Sequence, residues 1–196
     1  MGTFQPVCCA LKPKPPWVSE CIVRSAENRD AAAVLDLLRE LAHEPVFTVY
    51  EPDEMIRSLE TERASIATYR EEPGRLMLVA EVGGELVGQL TFRAGKYRRI
   101  AHAGEMGMSV RANWRGRGVG RALLTCLIEW ASVHPRVEKI NLRVFASNER
   151  AIALYRSMGF VEEGRRAGEI RIHSGLRVDD LTMARFVRVE READRE

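Results

Sequence analysis

Three glycines at alternate positions, Gly116, Gly118 and Gly120, are interleaved with Arg115, Arg117 and Arg121. They stand where a run of strand formers ending at Val110 gives way to an apolar helical pattern beginning at Val119. The first turn of a helix leaves backbone N–H groups unpaired and carries a partial positive charge. Glycines let a ligand approach that backbone closely, and guanidinium groups match phosphate oxygens. The pattern therefore predicts a cradle for a phosphate or diphosphate. Two nucleotide motifs fail on spacing. No Gly-Lys-Ser/Thr ending occurs, and Gly120 follows Gly116-x-Gly118 one residue too early for a dinucleotide fingerprint, with Arg at position 121.

A second segment lies downstream of the next strand: Asn148-Glu149-Arg150-Ala151-Ile152-Ala153-Leu154-Tyr155-Arg156-Ser157-Met158-Gly159-Phe160. Arg115-x-x-Gly118-x-Gly120 resembles the Arg/Gln-x-x-Gly-x-Gly/Ala signature of the GCN5-related N-acetyltransferase (GNAT) family. The Asn148 to Phe160 segment is similar to that family's second cofactor motif. The resemblance covers residues 21 to 187, and Gly164 to Ala184 looks closest to bacterial members that acetylate free amino acids or related small amines. It implies a mixed, mostly antiparallel α/β sheet flanked by helices on both faces. It also implies acetyl-CoA as cosubstrate without a metal, and a family in which homodimers are common. The implied cofactor-binding residues are Met108, Ser109, Val110, Arg115, Gly116, Arg117, Gly118, Val119, Gly120, Arg121, Asn148 and Tyr155.

Acetyl transfer from a thioester to an amine needs a neutral amine, a polarised carbonyl and a proton for the departing thiolate. Family resemblance assigns the last task to Tyr155. A tyrosine with a pKa near ~10 is protonated at neutral pH and can protonate a thiolate of pKa ~8.5. The resemblance also implies a main-chain N–H from the strand ending near Val110 as the group that polarises the carbonyl; Met108, Ser109 and Val110 are its candidates. Glu105 is the first candidate for a base or water-ordering residue, and His102 the second. A free α-amine, with a pKa of about 8, needs little help from a base. Transfer is expected to be direct, because Cys126 sits among Leu123, Leu124, Leu127 and Ile128 and reads as a core thiol rather than a nucleophile. Glu44, Phe47 and Tyr50, between the first two helices, are the candidates for contacting the acceptor, with carboxylate and ring faces suited to an ammonium.

The expected acceptor is a primary amine of a small molecule, an amino acid being one option. A protein N-terminus or lysine, a polyamine and an aminoglycoside are alternatives within the same chemistry, and a non-catalytic acyl-CoA sensor is one outside it. Nucleic acid is not expected as a partner: the net charge is only +2 and no aromatic stacking motif accompanies the arginines. No apolar run approaches the ~20 residues of a membrane span. There is no secretory signal pattern, no CxxC pair occurs among Cys8, Cys9, Cys21 and Cys126, and a cytoplasmic location is expected.

Elements that position these residues follow from periodicity. Strands are expected at Ile22–Ala26, Leu76–Val82, Glu85–Phe92, Gly104–Val110 and Ile140–Phe145, with a closing pair, Ile170–Ile172 and Leu181–Val187, across His173-Ser174-Gly175. Gly83-Gly84 between two apolar runs predicts a hairpin. Helices are expected from Asn28 or Asp30 to Ala42 with Ala33, Leu37, Leu38 and Leu41 along one face. Others are expected from Pro52-Asp53-Glu54 with Met55, Ile56 and Leu59 inward, over Val119–Val133, and over Glu149–Met158. Residues 1–20, with Lys12-Pro13-Lys14-Pro15-Pro16, read as a flexible extension, 21–187 as the catalytic domain, and 188–196 as a charged tail.

Overall fold

A computed structural model describes residues 9–10, 21–44, 48–54, 57–172 and 175–188. Its elements are β1 (Cys9–Ala10), β2 (Ile22–Ser25), α1 (Ala31–Ala42), α2 (Leu59–Glu71), β3 (Arg75–Val82), β4 (Glu85–Ala94), β5 (Ala103–Val110), α3 (Val119–Val133), β6 (Lys139–Phe145), α4 (Glu149–Ser157), β7 (Val161–Arg171) and β8 (Arg177–Phe186). The eight strands form one sheet in the order β1-β2-β3-β4-β5-β6-β8-β7. All neighbours are antiparallel except β5 and β6, which run parallel. The expected mixed, mostly antiparallel α/β architecture is therefore observed. The Gly83-Gly84 turn closes β3 on β4 as the alternation predicts.

Each face of the sheet buries its own apolar cluster. On one face Leu123, Leu124 and Leu127 of α3 pack against Leu78, Leu90, Ile140 and Leu142, with Ile152 and Tyr155 of α4 in the same cluster. Trp130 meets Phe92 edge-on, with ring centroids 5.5 Å apart. On the other face Val34 and Leu37 of α1 and Ile66 of α2 cover Met77, Val79 and Leu86. Cys126 is a buried thiol in the first cluster, as its apolar helical context predicts.

Four expectations differ from the structure. The second helix begins at Leu59 rather than at Pro52, because Ser58 supplies the cap: its hydroxyl accepts from Thr61 N at 3.0 Å, and Glu60 and Glu62 occupy the first turn. Pro52-Asp53-Glu54 form a turn, Leu59 is exposed, and Met55 and Ile56 lie outside the described residues. The inward face of α1 is Ala31, Val34 and Leu37, which leaves Leu38 and Leu41 at its partly covered edge. The closing hairpin is much longer than expected. The charged run from Glu162 to Arg171 hides a strand whose residues are almost all exposed, as suits an edge that must resist pairing with another chain. Two register shifts against β8 bend it further.

At the termini, β1 pairs with Val23 and Ile22, and the rest of the expected extension lies outside the described residues. Arg188 donates to the carbonyls of His134 and Pro135, and residues 189–196 lie outside. No helix among the described residues is long and apolar enough to cross a membrane.

Leu123, in the second turn of α3, is fully buried. Leu123→Ala is expected to lower unfolding free energy by about 3 kcal/mol, from lost transfer energy plus a residual cavity. A denaturant titration reading the midpoint of unfolding checks this.

Candidate active site

The sheet parts in its middle. The parallel register of β5 and β6 covers only Ala103↔Lys139, Gly104↔Ile140 and Glu105↔Asn141, although β5 continues to Val110. The orientation of the remaining backbone follows from antiparallel parity. Gly95 N donates to Ala103 O and Arg111 N to Val87 O, and the register between them is unbroken. Alternate residues of an antiparallel pair exchange their hydrogen bonds. The odd-numbered residues of β5 therefore bond to β4, and Met108 and Val110 turn their N–H groups toward the gap where β6 has left. Ser109, one of the three expected carbonyl-polarising amides, has its N–H turned toward Gln89 of β4. Met108 and Val110 remain.

Beyond Val110 the chain turns into the glycine loop. Arg115 secures the loop: Nε donates to Val110 O at 2.9 Å and Nη1 to Glu44 just beyond α1. Gly116 and Gly118 have φ of 75° and 90°, in the left-handed region that a side chain disfavours. Gly118 is the N-cap of α3. At Gly120 the requirement is space, since a Cβ there would stand 3.0 Å from Leu154 Cδ2 and 3.3 Å from Met108 Cε. Ala122 N is the first amide to return to the helical ladder, donating to Gly118 O. Among the described residues, no backbone or side-chain acceptor meets the amides of Gly116 through Arg121. Six unpaired N–H groups at the start of a helix, beside guanidinium groups, fit a diphosphate. Arg121 points into the cleft from the Ser157 side, donating to Ser157 Oγ at 2.8 Å. Arg117 instead lies over the Trp114 ring, 5.2 Å from its centroid, and Val119 is buried in the core. These two offer the cleft their amides rather than their side chains.

Helix α4 brings the second motif to the same place. Asn148 caps it, accepting from Ala151 N at 3.2 Å. Tyr155 is only 6% exposed and packs on Phe160. Burial pushes its pKa up to about 12, so it holds its proton across the physiological range. Among the described residues nothing hydrogen-bonds its hydroxyl, and Tyr155 lines two cavities at once.

The first cavity, 450 Å³, runs between α1, the glycine loop and α4. The second, 510 Å³, opens on the α1–α2 face of the sheet. Tyr50, Met108, Ser109, Asn148 and Tyr155 line both, so the cavities meet at the split in the sheet. Glu44 lines only the first and is paired with Arg115, which occupies the carboxylate expected to attract an acceptor. Phe47 lies outside the described residues. Glu105 is exposed and lines the second cavity. It stands three residues from Met108, about 10 Å along an extended strand. A proton reaching Glu105 from the junction would travel through water. His102 is exposed in the turn before β5, lines neither cavity, and uses its carbonyl to hold Glu138 N and Lys139 N.

Several lining residues escaped the sequence reading. Arg150 faces the first cavity. Arg57, Glu62, Gln89, Arg143 and Asp180 face the second. Arg57 pairs with Glu62 at 3.1 Å, and Arg143 with the buried Asp180 at 2.5 Å. Gln89 carried a signal, being a lone amide inside the apolar strand Leu86–Phe92. Glu62 carried none, because a glutamate is ordinarily solvated even when its spacing puts it on the face of Ile66.

Comparison with known proteins agrees with this geometry. The model of the acetyltransferase (GNAT) family matches residues 35–160. The chain is 31% identical over 172 residues to the L-amino acid N-acetyltransferase AaaT of Escherichia coli (strain K12), covering 86% of this chain and 99% of that one. It superposes with a TM-score of 0.81 on an acetyltransferase of the GNAT family from Streptococcus pneumoniae, at 26% identity, covering 85% of this chain and 99% of the other. In fold it also matches yncA of Salmonella typhimurium, solved with its cofactor acetyl-CoA, at a TM-score of 0.78 and 21% identity over 88% of this chain and 97% of that one.

The glycine loop can be tested by one pair of variants. Gly118→Ala forces a side chain into the left-handed region at ~1–2 kcal/mol, and is expected to weaken acetyl-CoA binding about tenfold. Arg117→Ala leaves the amides in place and is expected to change affinity by less than about threefold. Titration calorimetry measures both.

Proposed function

The chain belongs to the acetyltransferase (GNAT) family, and from that premise we propose that it moves an acetyl group from acetyl-CoA directly to the amino group of a small, amino-acid-like acceptor. Acetyl-CoA dependence comes with the family. The acceptor class is the proposal, and the observation that carries it is the pairing of a diphosphate-shaped cleft with a separate, charged cavity that joins it at Met108, Ser109 and Tyr155. Both signs of charge line that second cavity, Arg57 and Arg143 against Glu62, Asp180 and Glu105, as a zwitterion requires. The similarity to a bacterial L-amino acid N-acetyltransferase over nearly the whole of that enzyme supports the same reading.

In this reading the amides of Gly116 through Arg121 hold the diphosphate of the cosubstrate, and Arg121, which faces the cleft, offsets part of its charge. The bound cosubstrate supplies an activated acyl carbon. The N–H of Met108 or Val110 donates to the acyl oxygen, from an edge with no strand opposite it. Tyr155 Oη carries the proton that the departing sulfur needs, and at a pKa of about 12 it is fully protonated at any working pH. Glu105 takes the amine's proton through intervening water. An α-amine with a pKa of about 8 is partly neutral near pH 7.5 without that help. Direct attack within a ternary complex needs no acyl-enzyme, and Cys126 is buried in the core away from both cavities.

Thiol release from acetyl-CoA should be measured with free L-amino acids, a tetrapeptide with a free N-terminus, and spermidine. The proposal expects free amino acids to have the highest kcat/KM; preference for the peptide or the polyamine would contradict it. Tyr155→Phe is expected to lower kcat by about 100-fold while acetyl-CoA affinity stays unchanged. For wild type, the pH profile of kcat/KM should rise through the acceptor's amine pKa. A pKa raised by burial keeps the tyrosine protonated until pH approaches that value, so no descending limb from Tyr155 should appear below pH ~10.

A further inference from the structure

Two buried oxygens in the second cavity have no hydrogen-bond partner among the described residues. Glu62 is 0% exposed and Gln89 is 7% exposed. Among the described residues, Glu62 Oε1 and Gln89 Oε1 make no hydrogen bond. Buried polar atoms are rarely left so, because each forfeits its bonds to water and gains none in return. Both residues line the 510 Å³ cavity.

Their setting is fixed by the fold. Gln89 lies directly opposite Ser109 in the β4–β5 register, and such hydrogen-bonded pairs stand about 5.5 Å apart at Cα. Ser109 lines both cavities at their junction, so Gln89 sits one strand away from where acetyl transfer would occur. Glu62 lies one helical turn before Ile66, on the face of α2 that covers Met77, Val79 and Leu86, and Val79 is the β3 partner of Gln89. Arg57 takes Glu62 Oε2 at 3.1 Å, which anchors the carboxylate and leaves Oε1 for a visitor. Glu105 is four residues from Ser109, about 13 Å along β5.

We propose that Glu62 Oε1 and Gln89 Oε1 form the seat of the acceptor's amino group, each accepting one of its N–H bonds and holding the nitrogen beside the β5 edge. This rests on the amine-acetylating reading above and adds to it the residues that hold the nitrogen. The two groups are substrate-binding and positioning residues. They present acceptor oxygens, one of them charged, to a group that brings only donors while it is an ammonium. A carboxylate or an ester offers no such donors and would find no partner here.

The test uses Glu62→Gln and Gln89→Met with the free L-amino acid that wild type turns over fastest. For Glu62→Gln the amine KM is expected to rise on the order of 100-fold. For Gln89→Met it is expected to rise about tenfold. Acetyl-CoA affinity by calorimetry should stay within about twofold in both. The thermal midpoint of Glu62→Gln should change little, because the new amide oxygen can still accept from Arg57, whose half-exposed guanidinium stays solvated. Wild-type amine KM in Glu62→Gln, which an internal bond between the Gln89 amide and Glu62 would give, overturns the seat and leaves the acetyltransferase reading standing. A wild-type protein that binds acetyl-CoA but acetylates no amine overturns both.

Discussion

The parting of β5 from β6 is the constraint on which the rest of the structure depends. Past Glu105↔Asn141 the two central strands stop bonding to each other, so a sheet otherwise continuous through eight strands carries an unpaired backbone edge in its interior. An edge of that kind is costly when buried and empty. Here it becomes the wall of a cleft, with the glycine loop, Asn148 and Tyr155 arranged around it. The glycine loop begins where β5 ends. Helix α3 starts from that loop. Helix α4 begins at Glu149, four positions past the end of β6, with Asn148 N donating to Phe145 O. Two helix N-termini therefore open onto the same gap, and their partial positive charge favours an anionic ligand there.

The split also separates the two halves of a transfer reaction. The face carrying α3 and α4 is packed tightly, and the first cavity, between α1, the glycine loop and α4, is lined by the loop glycines together with arginine and apolar side chains. The face carrying α1 and α2 leaves room above β4, β5 and β6, and there the lining is charged side chains. One cavity offers amides to phosphate and the other offers carboxylates and guanidinium groups to a small polar molecule. They share only a narrow set of residues, among them Met108, Ser109 and Tyr155. Burial holds the Tyr155 hydroxyl protonated, as the proposed role of proton carrier requires.

Much of this was legible in the sequence where local rules govern. Helix α3 runs from Val119 to Val133 as periodicity predicts, and the β3–β4 hairpin follows from its Gly-Gly turn. The glycine loop was legible because positive φ and close approach can be met by few residues. Long-range features were not. The parallel pairing of β5 with β6 depends on a crossover through α3, and its early end has no local signal. Glu44 was expected to face the acceptor, but its partner, Arg115, lies 71 residues away. The edge strand β7 was hidden by charges that serve to keep it solvated. A capping serine at position 58 moved the start of α2 by seven residues, and Glu62 in its first turn shares the buried face with Ile66, a place where a carboxylate is not expected from its type alone.

Amide hydrogen exchange, followed residue by residue with and without acetyl-CoA, tests the central claim most directly. Binding should slow exchange at Met108 or Val110 and at Gly116 through Arg121, the amides that meet no acceptor among the described residues, while amides in the α1–α2 core change little. Protection confined to other segments, with the β5 edge and the glycine loop exchanging as fast as before, would contradict it.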